Sequence, residues 1–163
     1  MDEKNILEVK DLNVHFRTED RSVHAVKNVS FELERGKTLG IVGESGSGKS
    51  VTSLSVMQLI PSPPGEIRSG EIWFDSPTFG QRDLLSLNRP KPQPLLKRIA
   101  GNTPPSPMNK IRGNEISMIF QEPMTSLNPV FTCGDQVMET IRLHQNVSKQ
   151  EAKDRTLELF NEV

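Results

Sequence analysis

Little in this sequence can form a covalent cross-link. A single cysteine, Cys133, stands among 163 residues, so no internal disulfide is available and a reduced, cytosolic setting is expected. Tyrosine is absent and aromatic residues make up only 5% of the chain, which leaves few side chains able to stack on a planar ligand. No run of about eighteen apolar residues occurs, so the sequence contains no helical membrane span. The opening "MDEKNILEVK" is acidic and lacks the basic-then-apolar order of a secretory signal. An excess of either charge is missing too. A net charge of −1 gives no electrostatic reason to expect nucleic acid as a partner. What is present, 34% apolar and 25% charged residues, suits a globular chain with a real core.

Along the chain, residues 6–16 settle into alternation at Leu12, Val14 and Phe16, and the pattern returns at Val29, Phe31 and Leu33. Both stretches read as half-buried strands joined in a hairpin. Residues 38–42, "TLGIV", are apolar on both faces, as in a central parallel strand. A helix is expected from about Lys49 to Ile60, where "PSPPG" stops it. "GEIWF" (70–74) and "EISMIF" (115–120) read as two further strands. Between them, seven of the twelve prolines fall from Pro77 to Pro107, beside a series of lysines and arginines. That composition predicts a surface loop with a short element at "DLLSL". Later, Val137, Met138 and Ile141 mark one helix. Ser148 to Glu151 is a capping box opening another, with Ala152, Thr156, Leu159, Phe160 and Val163 along its face.

The octet "GESGSGKS" (43–50) decides the chemistry. It fits G-x-x-x-x-G-K-[ST] at Gly43, Gly48, Lys49 and Ser50, between an apolar strand-like run and a helix-like one. A dinucleotide fingerprint fails, because Val51 stands where its third glycine belongs. A flexible linker is a poor reading between two core segments. Gly43, Gly46 and Gly48 allow positive φ and close approach of phosphate oxygens. Successive N–H groups over 45–50 then form an anion nest at a helix N-terminus, in which Glu44, Ser45 and Ser47 act through their backbone. Lys49 brings a positive charge to the β- and γ-phosphates, and the Ser50 hydroxyl takes one Mg²⁺ position.

Three stretches together, "LEVKDLNVHF…VHAVKNVSFEL", "VGESGSGKSVT" and "IRGNEISMIFQEPMTSLNPVFT", resemble the ATP-binding subunits of ABC importers for peptides and nickel. The resemblance covers nearly the whole chain except the proline-rich insertion. It implies an α/β fold: a P-loop NTPase (ABC ATPase) core with an antiparallel β subdomain and the start of a helical subdomain, truncated. The parts would be 1–75 (β subdomain and P-loop core), 76–113 (insertion), 114–133 (strand and Q-loop) and 134–163 (start of the helical subdomain). It makes Gly43–Ser50, with Val51 following, the Walker A cradle for ATP. Gln121 becomes the Q-loop glutamine, which reaches Mg²⁺ and the attacking water beside Lys49. The loop from Gln121 to about Pro129 would touch a coupling helix of the membrane subunit. Phe16 aligns with the aromatic that stacks on adenine, although Leu12, Val14 and Phe16 also make a sufficient apolar strand face without that role.

The implied function is Mg-ATP binding and hydrolysis that powers import of di- and oligopeptides or glutathione. Implied partners are transmembrane permease subunits, a second ATP-binding subunit dimerised across ATP and, indirectly, a periplasmic or extracellular solute-binding protein. The implied location is peripheral, on the cytoplasmic face of the cell membrane. No L-S-G-G-Q-like signature, no aliphatic strand ending in Asp-Glu after Gln121 and no switch histidine occur, so a fragment that binds nucleotide without catalysis, or is inert, stays open. A P-loop kinase or GTPase is disfavoured, because "QEPMTSLNP" has no role there and no N-K-x-D occurs. Asp75, ending "EIWFD" and followed by Ser76 and Pro77, reads as a turn residue rather than a Mg²⁺ ligand. Cys133 reads as an inert thiol, and His15, His24 and His144 as packing or surface residues.

Overall fold

In a computed structural model of the chain, residues 1–18, 21–87, 106–121 and 127–163 are described. They fall into two compact units, Met1–Ile111 and Arg112–Val163.

In the first unit, strands β1 (Asn5–Arg17) and β2 (Ser22–Glu34) form the expected antiparallel hairpin, with Arg17 opposite Ser22 at its closed end. Strand β3 (Gly65–Ser76) runs antiparallel along the other edge of β1, and β4 (Gly80–Asp83) along β3, in the order β2-β1-β3-β4. Val9 and Leu12 are both buried although three residues apart, a spacing that puts two side chains on opposite faces of a regular strand. An extra residue in β1 reconciles them. Val9 to Leu12 on β1 faces only Phe31 to Val29 on β2, and Asp11 within that step has φ 45°, so the strand bulges. β2 carries its own irregularity at Asn28, φ 45°, and β3 crosses the same level at Gly70, φ 109°. A Cβ on Gly70 would lie 2.7 Å from Leu12 Cα and 2.8 Å from the Lys10 carbonyl, so that position admits only glycine. The Asn13 side chain ties the three strands at this level. Its Nδ2 lies 2.7 Å from Asn28 Oδ1 and 3.0 Å from Ser69 Oγ, and its Oδ1 accepts the Asn28 N–H at 3.1 Å.

The core consists of Val9, Leu12, Val14 and Val26 with Ile72 and Phe74. Leu84 of α2 (Leu84–Leu87) and Met108 and Ile111 of α3 (Met108–Ile111) are equally buried. The expectation of a surface insertion over 76–113 therefore differs from the structure at both ends. Gly80–Asp83 is a paired strand, "DLLSL" opens a short helix as expected, and Asp83 Oδ1 accepts the N–H groups of Ile72 and Leu85 at 3.1 Å. Apolar residues at 84, 108 and 111 outweigh the local proline content. The stretch 88–105 lies outside the described residues.

Helix α1 (Lys49–Val56) is shorter than the expected 49–60. It ends through Met57, and Gln58 adopts φ 51° before the prolines are reached. The expected central strand at 38–42 is not formed: the backbone there is irregular, Leu39 and Ile41 are about half exposed and Val42 is almost wholly exposed. A strand apolar on both faces needs hydrogen-bonding neighbours on both edges, and none pairs with it among the described residues.

In the second unit, α4 (Cys133–His144) and α5 (Lys149–Asn161) form as expected. Thr132 caps α4 by accepting the Asp135 N–H at 3.1 Å. Ser148 and Glu151 make the reciprocal capping box of α5. Of the face read for α5, Ala152 and Thr156 are buried, whereas Leu159, Phe160 and Val163 are exposed. The expected strand at 115–120 reduces to one isolated parallel bridge, Arg112 to Ile116, and leaves Ile119 exposed. As at 38–42, no neighbouring strand among the described residues satisfies its backbone.

Candidate functional site

The octet leads directly into α1, and its geometry follows from its glycines. Gly46 and Gly48 take φ 79° and 92°, values that side-chain-bearing residues rarely adopt. Gly48 is the N-cap of α1. A Cβ there would lie 2.5 Å from the Ala25 carbonyl oxygen and 3.4 Å from Val26 Cγ2, so the end of the loop rests on strand β2. At Gly43 a Cβ would meet Ser47 Oγ at 2.7 Å. No side chain caps α1, and no acid stands in its first turn. The positive end of the helix is thus left to an anion.

Lys49 is drawn back over the loop. Its ammonium donates to the carbonyls of Gly43 and Glu44, both at 2.6 Å, and lies 3.3 Å from Ser47 Oγ. These contacts hold one positive charge over the loop, at the end of α1 where the helix dipole also acts, while the Ser47 N–H donates to the Glu44 carbonyl at 3.2 Å. The hydroxyls of α1 divide into two kinds. Thr52, Ser53 and Ser55 each donate to the carbonyl four residues earlier. Ser50 is exposed and makes no such bond to another described residue. Among the described residues its oxygen is the one hydroxyl of the helix's first turn left unengaged by the helix. The chain's own residues therefore fit a nucleotide phosphate, and the Ser50 oxygen fits one Mg²⁺ position.

Phe16 stands at the end of β1, opposite Val23 on β2 and Gly65 on β3. It is half-buried, whereas Leu12 and Val14 are fully buried. Ala25, against which Gly48 rests, lies two residues beyond Val23 on the same strand. Phe16 and the octet thus occupy the same end of the sheet. Val51 is half-buried in the first turn of α1. Gln121 is exposed in a bend of the second unit rather than at a strand end, and residues 122–126 of the loop after it lie outside the described set.

The remaining candidates resolve simply. Asp75 forms an ion pair with Arg35 at 2.5 Å and turns the chain toward β4. Cys133 is exposed at the first position of α4. His15 and His24 stack across the hairpin with ring centres 3.9 Å apart, and His24 Nε2 lies 3.0 Å from Asn13 Oδ1. Because that oxygen already accepts the Asn28 N–H, His24 is the donor. Desolvation first, and then the positive fields of His24, Arg68 and Lys27 against the opposing Glu66, hold the pKa of His15 below its ordinary value. Reasoning from sequence missed this pair, whose one visible signal was a histidine on each hairpin strand. Among the described residues no helix is long and apolar enough to cross a membrane.

A glycine-rich turn carrying Lys-Ser into a helix is the P-loop motif of nucleotide-binding proteins. The ABC transporter family matches residues 26–163, and the chain belongs to that family. The oligopeptide transport ATP-binding protein OppD of Bacillus subtilis is 45% identical over 155 residues, which is 95% of this chain and 37% of OppD. The glutathione import ATP-binding protein GsiA of Salmonella typhimurium is 43% identical over all of this chain and 24% of its own length. The chain thus spans about a quarter to just over a third of these relatives. Among solved structures, the dimeric ATP-binding cassette MJ0796 bound to ADP and Pi superposes with a TM-score of 0.64 at 23% identity, covering 93% of this chain and 54% of the cassette. That likeness establishes the ABC ATPase fold.

Proposed function

We propose that this chain holds Mg-ATP as part of an ATP-binding subunit that powers peptide import through an ABC transporter. One observation carries the reading. The Lys49 ammonium is gathered over the Gly43–Ser50 turn by two carbonyls at 2.6 Å, at the uncapped start of α1. A positive charge held there supports phosphate binding at the loop. In this reading the loop N–H groups and Lys49 bind the phosphates, Ser50 and Gln121 hold Mg²⁺, and Gln121 orients the attacking water. Phe16 stacks on the adenine at the sheet's end. Bound Mg²⁺ would neutralise charge developing on the phosphate oxygens.

The relatives named for oligopeptide and glutathione import support di- and oligopeptides or glutathione as the solute. The dimeric state of the MJ0796 cassette supports a second ATP-binding subunit as partner. Membrane permease subunits, and indirectly a solute-binding protein, complete the assembly, with this chain on the cytoplasmic face.

Calorimetric titration with Mg-ATP tests the core of the reading. Lys49→Ala leaves the phosphate charge uncompensated and is expected to weaken binding by about a hundredfold, the order of a charge-assisted contact in a partly desolvated site. Equal affinity in the wild type and Lys49→Ala refutes it.

A further inference from the structure

The seat of Phe16 is set by a residue with no side chain. Directly opposed residues of antiparallel strands project to the same face, and the residue opposite Phe16 on β3 is Gly65. Gly65 is buried, and its φ lies outside the left-handed range that would by itself call for glycine. The demand is for space. A Cβ at residue 65 would lie 2.2 Å from Ile60 Cγ2, 2.9 Å from the Pro61 carbonyl oxygen and 3.0 Å from Phe16 Cε1. Ile60, half-buried, therefore fills the place that a side chain at 65 would take, next to the edge of the Phe16 ring.

The surrounding backbone keeps this wedge in position. The Gly65 N–H donates to the Pro61 carbonyl at 2.8 Å, and the Arg17 N–H donates to the Pro64 carbonyl at 2.9 Å. The turn after α1 is thereby tied to the end of β1, one residue from Phe16. Ile60 also lies four residues past the end of α1, whose first residue is Lys49. A single helix about 12 Å long thus connects the phosphate loop at one end to the wedge against the aromatic ring at the other.

We infer that Gly65 and Ile60 are positioning residues that orient Phe16 for stacking on the base of a nucleotide, which makes position 65 a determinant of base affinity separate from phosphate affinity. The inference rests on the reading of Phe16 as the adenine platform. Enlarging residue 65 tilts the ring. Shortening residue 60 lets it drift. Neither change touches the phosphate cradle.

The test compares Mg-ATP with magnesium tripolyphosphate, which has the phosphates but no base, by calorimetry on the full chain. Phe16→Ala is expected to weaken ATP about tenfold, the order that one base–aromatic stack contributes, with tripolyphosphate unchanged. Gly65→Ala and Ile60→Ala are each expected to reproduce that split. If Phe16→Ala leaves ATP binding intact, the platform reading itself fails. If Phe16→Ala weakens ATP but Ile60→Ala keeps wild-type affinity, or Gly65→Ala loses both ligands together, the positioning role is overturned.

Discussion

Replacing Gly48 by alanine adds one methyl group at the point where the phosphate loop rests on the sheet. Two costs follow, and they can be separated. The first is conformational: φ at Gly48 is 92°, and placing a Cβ in the left-handed region costs roughly 1–2 kcal/mol. The second is steric. The new Cβ would lie 2.5 Å from the Ala25 carbonyl oxygen, a backbone atom that cannot rotate aside. Overpacking of that kind costs about 1–3 kcal/mol. Gly46 provides the control, because its φ of 79° carries the first cost while a Cβ there meets nothing within 4 Å. With about 2–4 °C of melting temperature per kcal/mol in a chain of this size, Gly46→Ala should lower the melt by roughly 2–8 °C and Gly48→Ala by roughly 4–20 °C. Differential scanning calorimetry of the two variants side by side is the assay. Equal melting temperatures would refute the claim that the loop is braced on β2.

Two further effects depend on protonation or capping. Because the pKa of His15 is depressed below its ordinary value, the unfolded chain takes up that proton more readily than the folded one. The stability due to neutral His15 is then complete above about pH 6.5 and is lost as pH falls through the depressed value. His15→Gln should flatten the fall in melting temperature over this range, and an unchanged slope counts against the stacked pair as its source. In α5, hydrogen bonds from the Ser148 side chain and backbone hold Glu151 below the usual carboxylate range, so its contribution is present above that range and is lost as pH falls through the lowered pKa. Ser148→Ala should cost about 1 kcal/mol and move the Glu151 titration, followed by NMR, upward toward its ordinary value. A Glu151 pKa indifferent to Ser148 would show that the capping box does not set it.

The features legible in the sequence were those governed by local chemistry. The octet announces itself because its glycines, Lys49 and Ser50 are each required at a fixed spacing, and Ser148 and Glu151 announce a helix start for the same reason. The hairpin was legible only in part. Alternation in β1 becomes clear only from Leu12 onward because the bulge at Asp11 shifts its phase, so Val9 went unread as core. The expected strands at 38–42 and 115–120 show the opposite failure. Their apolar pattern is that of central strands, but a strand exists only through its neighbours, and among the described residues neither has any. Proline content likewise obscured β4, Leu84, Met108 and Ile111, whose burial comes from contacts distant in sequence. For Gln121 and Phe16 the sequence offered roles only through resemblance. Phe16 lies at the octet's end of the sheet, and Gln121 belongs to the other unit.

The level at which Asp11, Asn28 and Gly70 interrupt the three strands also bears on the order in which the molecule assembles. The hairpin of β1 and β2 closes over a few residues, but Asn13 must find Ser69 across a separation of 56 residues. All of the phosphate loop and α1 lies inside that span. Closing such a span costs chain entropy before any contact repays it. A one-residue slip there would turn every buried side chain of β1 outward, so the bulges admit a single alignment. Docking of β3 in its one register therefore closes a stretch of chain that carries the whole phosphate loop and α1 within it.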